Sequence, residues 1–486
     1  MLIELLAAAL VCGTPSNIAP TAHVRAYQSG AAGAGQDTTT STKKPKRVKK
    51  PKKAKPATDA PAPDEPIDPD AVDTTGGGLR FVWKQHPSLR FGSVARVDLE
   101  AKLQEDVRAS YPDAKGLKDP ITGQVQTFEL HRSRFGLQGN LFKHIEYEIE
   151  REFTEKELTE KEILEGLTPQ SQWKDVNVNV TYIKDAQIQI GKFKVPFGLD
   201  ELTGVTHNDF VYRSLGANYL APARDIGVMV HGRFFKRGLN YWTGMFAHDG
   251  DNARSKKIQG GDRTFAARLT GTPFRTLGVS GLDVGGAVTV SSLSDDSFRP
   301  NGLRGRTIMT QDTFYEAVYV KGQRRRWEGD VDWSAGPVSA RAEFTLVNDD
   351  RLQQGLRDQD LPPARARSWY ISGTWVVTGE QKVRPLKPDT DFLRDGIGAV
   401  EVVGRFERLW YDSSGEGTAT PTRTPRTENI FREADRALTV GVNWILNRFI
   451  KLQFNAIRER VEDPAKNPVP DGAAFWSRVL RLQFVL

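Results

Sequence analysis

The chain is written in a two-residue rhythm from about Leu89 onward. Ala95, Val97, Leu99, Ala101 and Leu103 interleave with Arg96, Asp98, Glu100, Lys102 and Gln104. Phe135, Leu137 and Leu141 interleave with Arg134, Gln138 and Asn140, and Ile145, Tyr147 and Ile149 with Glu146, Glu148 and Glu150. The alternation recurs at 175–182, 338–346, 368–375, 438–444 and 450–456. At 476–486, Trp476, Leu480, Leu482, Phe484 and Leu486 share one parity. Successive side chains on a strand point to opposite faces. Each segment therefore predicts a strand with one oily and one polar face, about ten residues long as in a membrane barrel.

Such strands suit either a soluble sandwich, oily faces packed together, or a membrane barrel, oily faces on lipid and polar faces around a lumen. Three features favour the barrel. Sixteen or seventeen segments are countable, the divisions near Phe142 and Gly322 being open, and barrels of this kind take an even number, which points to sixteen. Trp173, Trp327, Trp410 and Trp476 sit near strand ends, as in the aromatic girdles of the membrane interface. The final segment runs to the last residue, in the manner of an outer-membrane assembly signal, although Leu486 stands where an aromatic is usual.

Connections reinforce this. Tight links occur near Lys184-Asp185, Arg237-Gly238, Ala335-Gly336 and Asn447-Arg448. Long polar links fall at about 154–172, 196–224, 249–262, 292–310, 349–365, 379–395, 412–434 and 462–474. Short turns on one side and long loops on the other are the barrel pattern. The predicted class is an all-β transmembrane antiparallel barrel of sixteen strands with a disordered N-terminal extension.

Composition agrees. Hydrophobic residues make up 38% of the 486 and mean hydropathy is −0.48, too polar for a bundle of membrane helices. Residues 1–26, with the apolar run Leu2 to Gly13, read as a signal peptide. Residues 27–78 are low in complexity: a Gly/Ala/Thr/Ser stretch, the basic run Lys43 to Lys53, then an acidic stretch from Asp64 to Asp73. This segment has little to bury and reads as an extended periplasmic arm, either a solvated linker or a contact to cell-wall polymer. The barrel domain takes 79–486. Of the net charge of +7, residues 1–73 carry +2 (ten Lys/Arg against eight Asp/Glu), so the excess is mild and does not call for nucleic acid. The single cysteine, Cys12, lies in the leader, which rules out a disulfide framework.

Enzyme signatures are missing from the sequence. The seven histidines form no helical metal-binding pair, there is no G-x-S-x-G elbow, and Gly191-Lys192-Phe193 is no phosphate loop. No catalytic residue, metal or cofactor is expected.

One stretch exceeds periodicity. Gly191-Lys192-Phe193-Lys194-Val195-Pro196-Phe197-Gly198-Leu199-Asp200-Glu201 is followed by Leu220-Ala221-Pro222-Ala223-Arg224-Asp225-Ile226-Gly227-Val228. This resembles the phosphate-selective porin O and P family, as do Arg132-Ser133-Arg134-Phe135-Gly136-Leu137-Gln138-Gly139 and Val440-Gly441-Val442-Asn443-Trp444. The resemblance implies a sixteen-stranded outer-membrane porin, commonly a homotrimer, embedded in lipid and lipopolysaccharide. A loop folded inward would narrow its pore and basic residues would guide small anions such as phosphate. Parity turns Arg132, Arg134, Arg96 and Lys102 inward. Lys192, Lys194, Arg213 and Arg224 lie on or beside the 196–224 link, the candidate constricting loop. Glu146 to Glu152 share the polar face, so a general or cation-preferring pore, or a structural barrel tethering the envelope, stands as the alternative.

Overall fold

The computed structural model describes residues 78–486 except for 84–85, 93, 113–126, 155–171, 236–237, 251–262, 274–280, 295–299, 395 and 414–424. The signal peptide read at 1–26 and the arm at 27–78 lie, Gly78 apart, outside the described residues.

A hairpin of β1 (Leu79–Trp83) and β2 (Pro87–Phe91) precedes the barrel. The barrel strands are β3 (Ala95–Tyr111), β4 (Phe128–Leu141), β5 (Ile145–Glu152), β6 (Trp173–Val180), β7 (Gln187–Lys194), β8 (Arg224–Phe234), β9 (Leu239–Phe246), β10 (Thr264–Gly271) and β11 (Leu282–Leu293). A small hairpin, β12 (Gly305–Arg306) with β13 (Thr313–Tyr315), intervenes. The barrel then continues through β14 (Gly322–Ala335), β15 (Val338–Arg351), β16 (Leu361–Val376), β17 (Ala399–Ser413), β18 (Glu433–Ile445), β19 (Ile450–Val461) and β20 (Phe475–Val485). Neighbours pair antiparallel, and β20 pairs with β3 from Trp476↔Tyr111 to Val485↔Lys102, closing sixteen strands. Closure removes the unpaired edges that hydrocarbon does not tolerate.

The oily parity faces outward. Phe135, Val178, Ile190, Phe344, Ile371 and Phe406 are exposed on the wall, while Asp98, Gln104, Arg134, Arg341 and Arg481 are buried on the inner side. Trp173, Trp327, Trp410 and Trp476 all lie toward the end where the long loops emerge. Tight turns close the other end. At Ala335 to Val338 two residues suffice, with Gly336 at φ 55°, a left-handed conformation that glycine adopts without strain.

Three features differ from the expected layout. The long link read at 379–395 is real, spanning 377–398, but it joins β16 to β17 at the tight-turn end. A further long link, 112–127, joins β3 to β4. The inner face is also not polar throughout. Val347, Leu409, Tyr411, Ala437, Ile457, Val461 and Val479 point inward and pack with Leu303, Ile308, Met309, Phe314 and Tyr315 from the 294–321 link. Each large apolar side chain buried there stabilises by about 1.5–3 kcal/mol. Local alternation could not reveal this cluster, because its inward positions are apolar only where another segment covers them.

Candidate functional site

The 195–223 connection enters the barrel and carries two short helices, α1 (Leu199–Leu202) and α2 (Leu215–Tyr219). The inner faces of β15 to β20 hold it by its backbone. Glu343 Oε2 accepts from Asp200 N (3.0 Å), Glu407 Oε2 from Leu215 N (2.6 Å) and Asn455 Oδ1 from Val211 N (2.8 Å). Arg481 donates to Val211 O (2.7 Å), Lys451 to Thr206 O and Asn208 O (3.0 and 3.1 Å), and Arg405 to Tyr212 O and Arg213 O (both 3.2 Å). A loop placed inside a barrel must satisfy its own peptide groups, and long polar side chains from the wall do so here. Gly216 lets α2 lie directly on β16, since a Cβ there would sit 2.0 Å from Ser368 Oγ.

A second anchor comes from the opposite end. Lys382 Nζ is 2.5 Å from Asp209 Oδ1 and also pairs with Glu401, and Arg384 Nη2 reaches Asp209 Oδ2 at 3.1 Å. Burial pushes the Asp209 carboxyl up, but Arg384, Lys382 and Arg341 outweigh it and hold it below the usual carboxylate range. Burial, and then Asp106, raises the neighbouring Tyr212 phenol.

The loop therefore lies against one half of the barrel. On β14 to β20 the inner polar residues, among them Arg324, Arg326, Arg405 and Gln453, are buried. On β4 to β8, Gln138, Glu146, Glu148, Asn179, Gln189 and His231 stay partly exposed, and this polar face lines the remaining lumen.

At the level of the loop the basic residues named from sequence meet carboxylates. Arg134 Nη1 and Nε bind Glu150 and Glu152 (both 2.7 Å), Lys102 binds Glu150 (2.6 Å) and lies 3.3 Å from Glu100, and Arg132 pairs with Glu152 (3.7 Å) and Gln104. Arg213 faces Glu201 (3.4 Å) and donates to Thr203 O (2.7 Å). Arg224 grips both oxygens of Asp175 (2.7–3.0 Å). Lys194 Nζ donates to the carbonyls of Glu201, Leu202 and Thr203 (2.9–3.3 Å), capping the end of α1. Five of the six candidates thus gather around the loop. Lys192 does not: it stands opposite Val176 and Ile226, both exposed on the outer wall, and strand register puts it on that outer face too.

Arg132 points inward with Arg134 by alternation, and a bulge adjoins it on the strand. Gln104 pairs with Arg132 while Glu105 pairs with Leu130, so His131 is the extra residue and joins Arg132 on the inner side. Sequence reasoning passed over Lys382, Arg384 and Arg405. Arg405 could have been found by parity, since it alternates with the outward Val402 and Phe406. Lys382 and Arg384 sit in a link that carries no periodic signal.

Asp106, Glu129 and His131 bring ligand atoms within 4.8 Å of one another. Arg481 already holds Asp106 through two bonds (2.6 and 2.7 Å) and Arg108 holds Glu129 (2.7 Å). The positive charges that neutralise these carboxylates make the cluster unsuited to a cation.

A closed antiparallel barrel, oily outside, with a polar lumen narrowed by an inward loop defines a β-barrel porin. The model of the phosphate-selective porin O and P family matches residues 102–486, and the chain belongs to that family; it is a porin of the bacterial outer membrane. Similar solved structures include OmpT of Vibrio cholerae, 10% identical with a TM-score of 0.48, covering 81% of this chain and 98% of that one. The anion-selective porin of Comamonas acidovorans is 12% identical, TM-score 0.47, covering 81% and 100%. The channel DcaP of Acinetobacter baumannii is 10% identical, TM-score 0.49, covering 81% and 98%. A search of curated proteins gives no match.

Proposed function

We propose that the barrel conducts small solutes passively and prefers anions such as phosphate. The supporting observation is the charge balance beside the loop. Among the basic residues named from sequence and Lys102, with their direct partners, Lys102, Arg132, Arg134, Arg213 and Arg224 pair with Glu100, Glu150, Glu152, Asp175 and Glu201, and Lys194 caps α1, six cations against five carboxylates. Fixed charge in a narrow, low-dielectric passage biases which ions enter. The surplus is small, so the preference is modest. Glu146 and Glu148, partly exposed nearer the tight-turn end, favour the second reading, a weakly cation-preferring pore.

Planar-bilayer recording across a salt gradient separates the two. The anion reading expects a reversal potential of anionic sign and chloride current that falls as phosphate is added. A cationic sign would overturn it, and phosphate without effect on the current would remove phosphate as the preferred solute.

We further infer a homotrimer joined along β5 to β10. Five of these six strands have eight residues each, short of the 9–11 that a tilted strand needs to cross hydrocarbon. A low wall is better covered by protein than by lipid. Cross-linking of detergent-purified protein tests this: a trimeric band is expected, and a strictly monomeric product would count against it.

A further inference from the structure

The β1–β2 hairpin stands apart from the pore. It lies before residue 102, where the family match begins, and the barrel closes without it. Strand β20 occupies the edge of β3 from Lys102 to Tyr111, and β2 takes the remainder of that edge, from Phe91↔Ala95 to Ser88↔Asp98. This is the tight-turn end, beside the C-terminal residue: Leu486 N donates to Ala101 O at 2.8 Å.

The hairpin is two-faced. Its register pairs Leu79 with Phe91, Phe81 with Leu89 and Trp83 with Pro87, so six apolar residues share one side. Arg80 pairs with Arg90 on the other side, and Arg90 in turn with Arg96, forming a row of three arginines. The apolar side is well exposed, with Leu79 at 63%, Phe81 at 62% and Trp83 at 56%. It is also continuous with the lipid-facing wall, because Leu89 lies opposite Val97 and Phe91 opposite Ala95, members of the outward series of β3.

We propose that this hairpin is a lipid-binding flap that lays its apolar face on the phospholipid leaflet at the periplasmic side of the outer membrane. Among the described residues β1 pairs only with β2, which sets the depth. An unpaired strand edge cannot enter hydrocarbon, where its peptide groups would go unsatisfied. At the headgroup level water reaches that edge, and aromatic rings such as Trp83 and Phe81 are favoured. In plain water the same apolar face beside an open strand edge would be an aggregation site. The occupant is lipid rather than a second copy because the face continues a surface that already contacts lipid.

The test uses the full chain with C12S, which removes its only cysteine, and one new cysteine carrying a fluorescent label, at F81C or, for the arginine side, R90C. Proteins are reconstituted into phosphatidylethanolamine–phosphatidylglycerol liposomes, and folding is checked by the heat-dependent shift of the barrel on gels. The F81C label should lose most of its emission to lipids brominated near the headgroup end of the chains, lose less to lipids brominated near the chain ends, and resist aqueous iodide. The R90C label should show more iodide quenching and less bromine quenching. Iodide quenching at F81C without bromine quenching would overturn the proposal. Protection from both quenchers, with F81C cross-linking between copies, would also overturn it and assign the face to a second copy. L79C serves as a second site should F81C impair insertion. Unchanged ion conductance in these variants keeps the result separate from the reading of the pore.

Discussion

Lys382 and Asp209 lie 173 residues apart in sequence and 2.5 Å apart in space, joining a turn-end link to a loop that enters from the opposite end. Lys382 also serves Glu401, and all three groups are buried. Removing one partner of a buried pair leaves charge uncompensated, at a cost on the order of 3 kcal/mol. Lys382→Met should lower resistance to denaturant by about that much and make the open-channel current noisier as the loop loosens. The double change Lys382→Met with Asp209→Asn should cost less than the sum of the two. Additive losses would show that the groups are not coupled.

The pH response of this clamp follows from the depressed Asp209 carboxyl. A group held below its unfolded value of about 3.9 contributes stability that is present above that value and lost as pH falls toward its folded value. The stability gap between the natural chain and Asp209→Asn should be constant from pH 8 to pH 5 and shrink only in stronger acid. A denaturant series at several pH values measures it. A gap already narrowing between pH 8 and pH 6 would contradict the geometry.

Charge reversal at the narrow level should move selectivity. Arg132→Glu and Arg134→Glu place carboxylates beside Glu150 and Glu152, and each should shift the reversal potential toward cations. Lys192→Glu, on the outer wall, should leave it unchanged. Equal shifts from all three would mean that the register does not separate lumen from wall.

Contact between α2 and β16 leaves no room for a methyl group at Gly216. Gly216→Ala should destabilise by about 1–3 kcal/mol, the usual cost of overpacking. Ser368→Gly in the same chain should recover part of it, read from thermal unfolding in detergent. Absence of any recovery would place the strain elsewhere.

Residues 303–320 of the β11–β14 link pack apolar side chains against the inner wall toward the long-loop end. Replacing 300–320 by a short Gly/Ser linker should raise single-channel conductance, and Ile308→Ala alone should cost about 2–5 kcal/mol by opening a cavity. Conductance unchanged by the replacement would show that the passage runs entirely along β4 to β8.

Much of the architecture was legible in the chain because alternation is local. Ala95 to Gln104 states which residues face lipid without reference to any other strand, and the count of such segments leads to sixteen. The 196–224 link could be singled out as the constriction only through the resemblance carried by residues 191–228, since nothing in its composition says that it folds inward. The direction of Arg134 followed from parity, whereas the partners that occupy it, Glu150 and Glu152, depend on the pairing of β4 with β5.

What the sequence by itself determined is the two-faced strand, its repetition, and hence a barrel with an oily exterior. Tertiary structure alone decided which inward charges neutralise one another, that His131 bulges, and that Lys382 reaches Asp209. These depend on distances between residues far apart in the chain, and such distances exist only once the sheet has closed on itself.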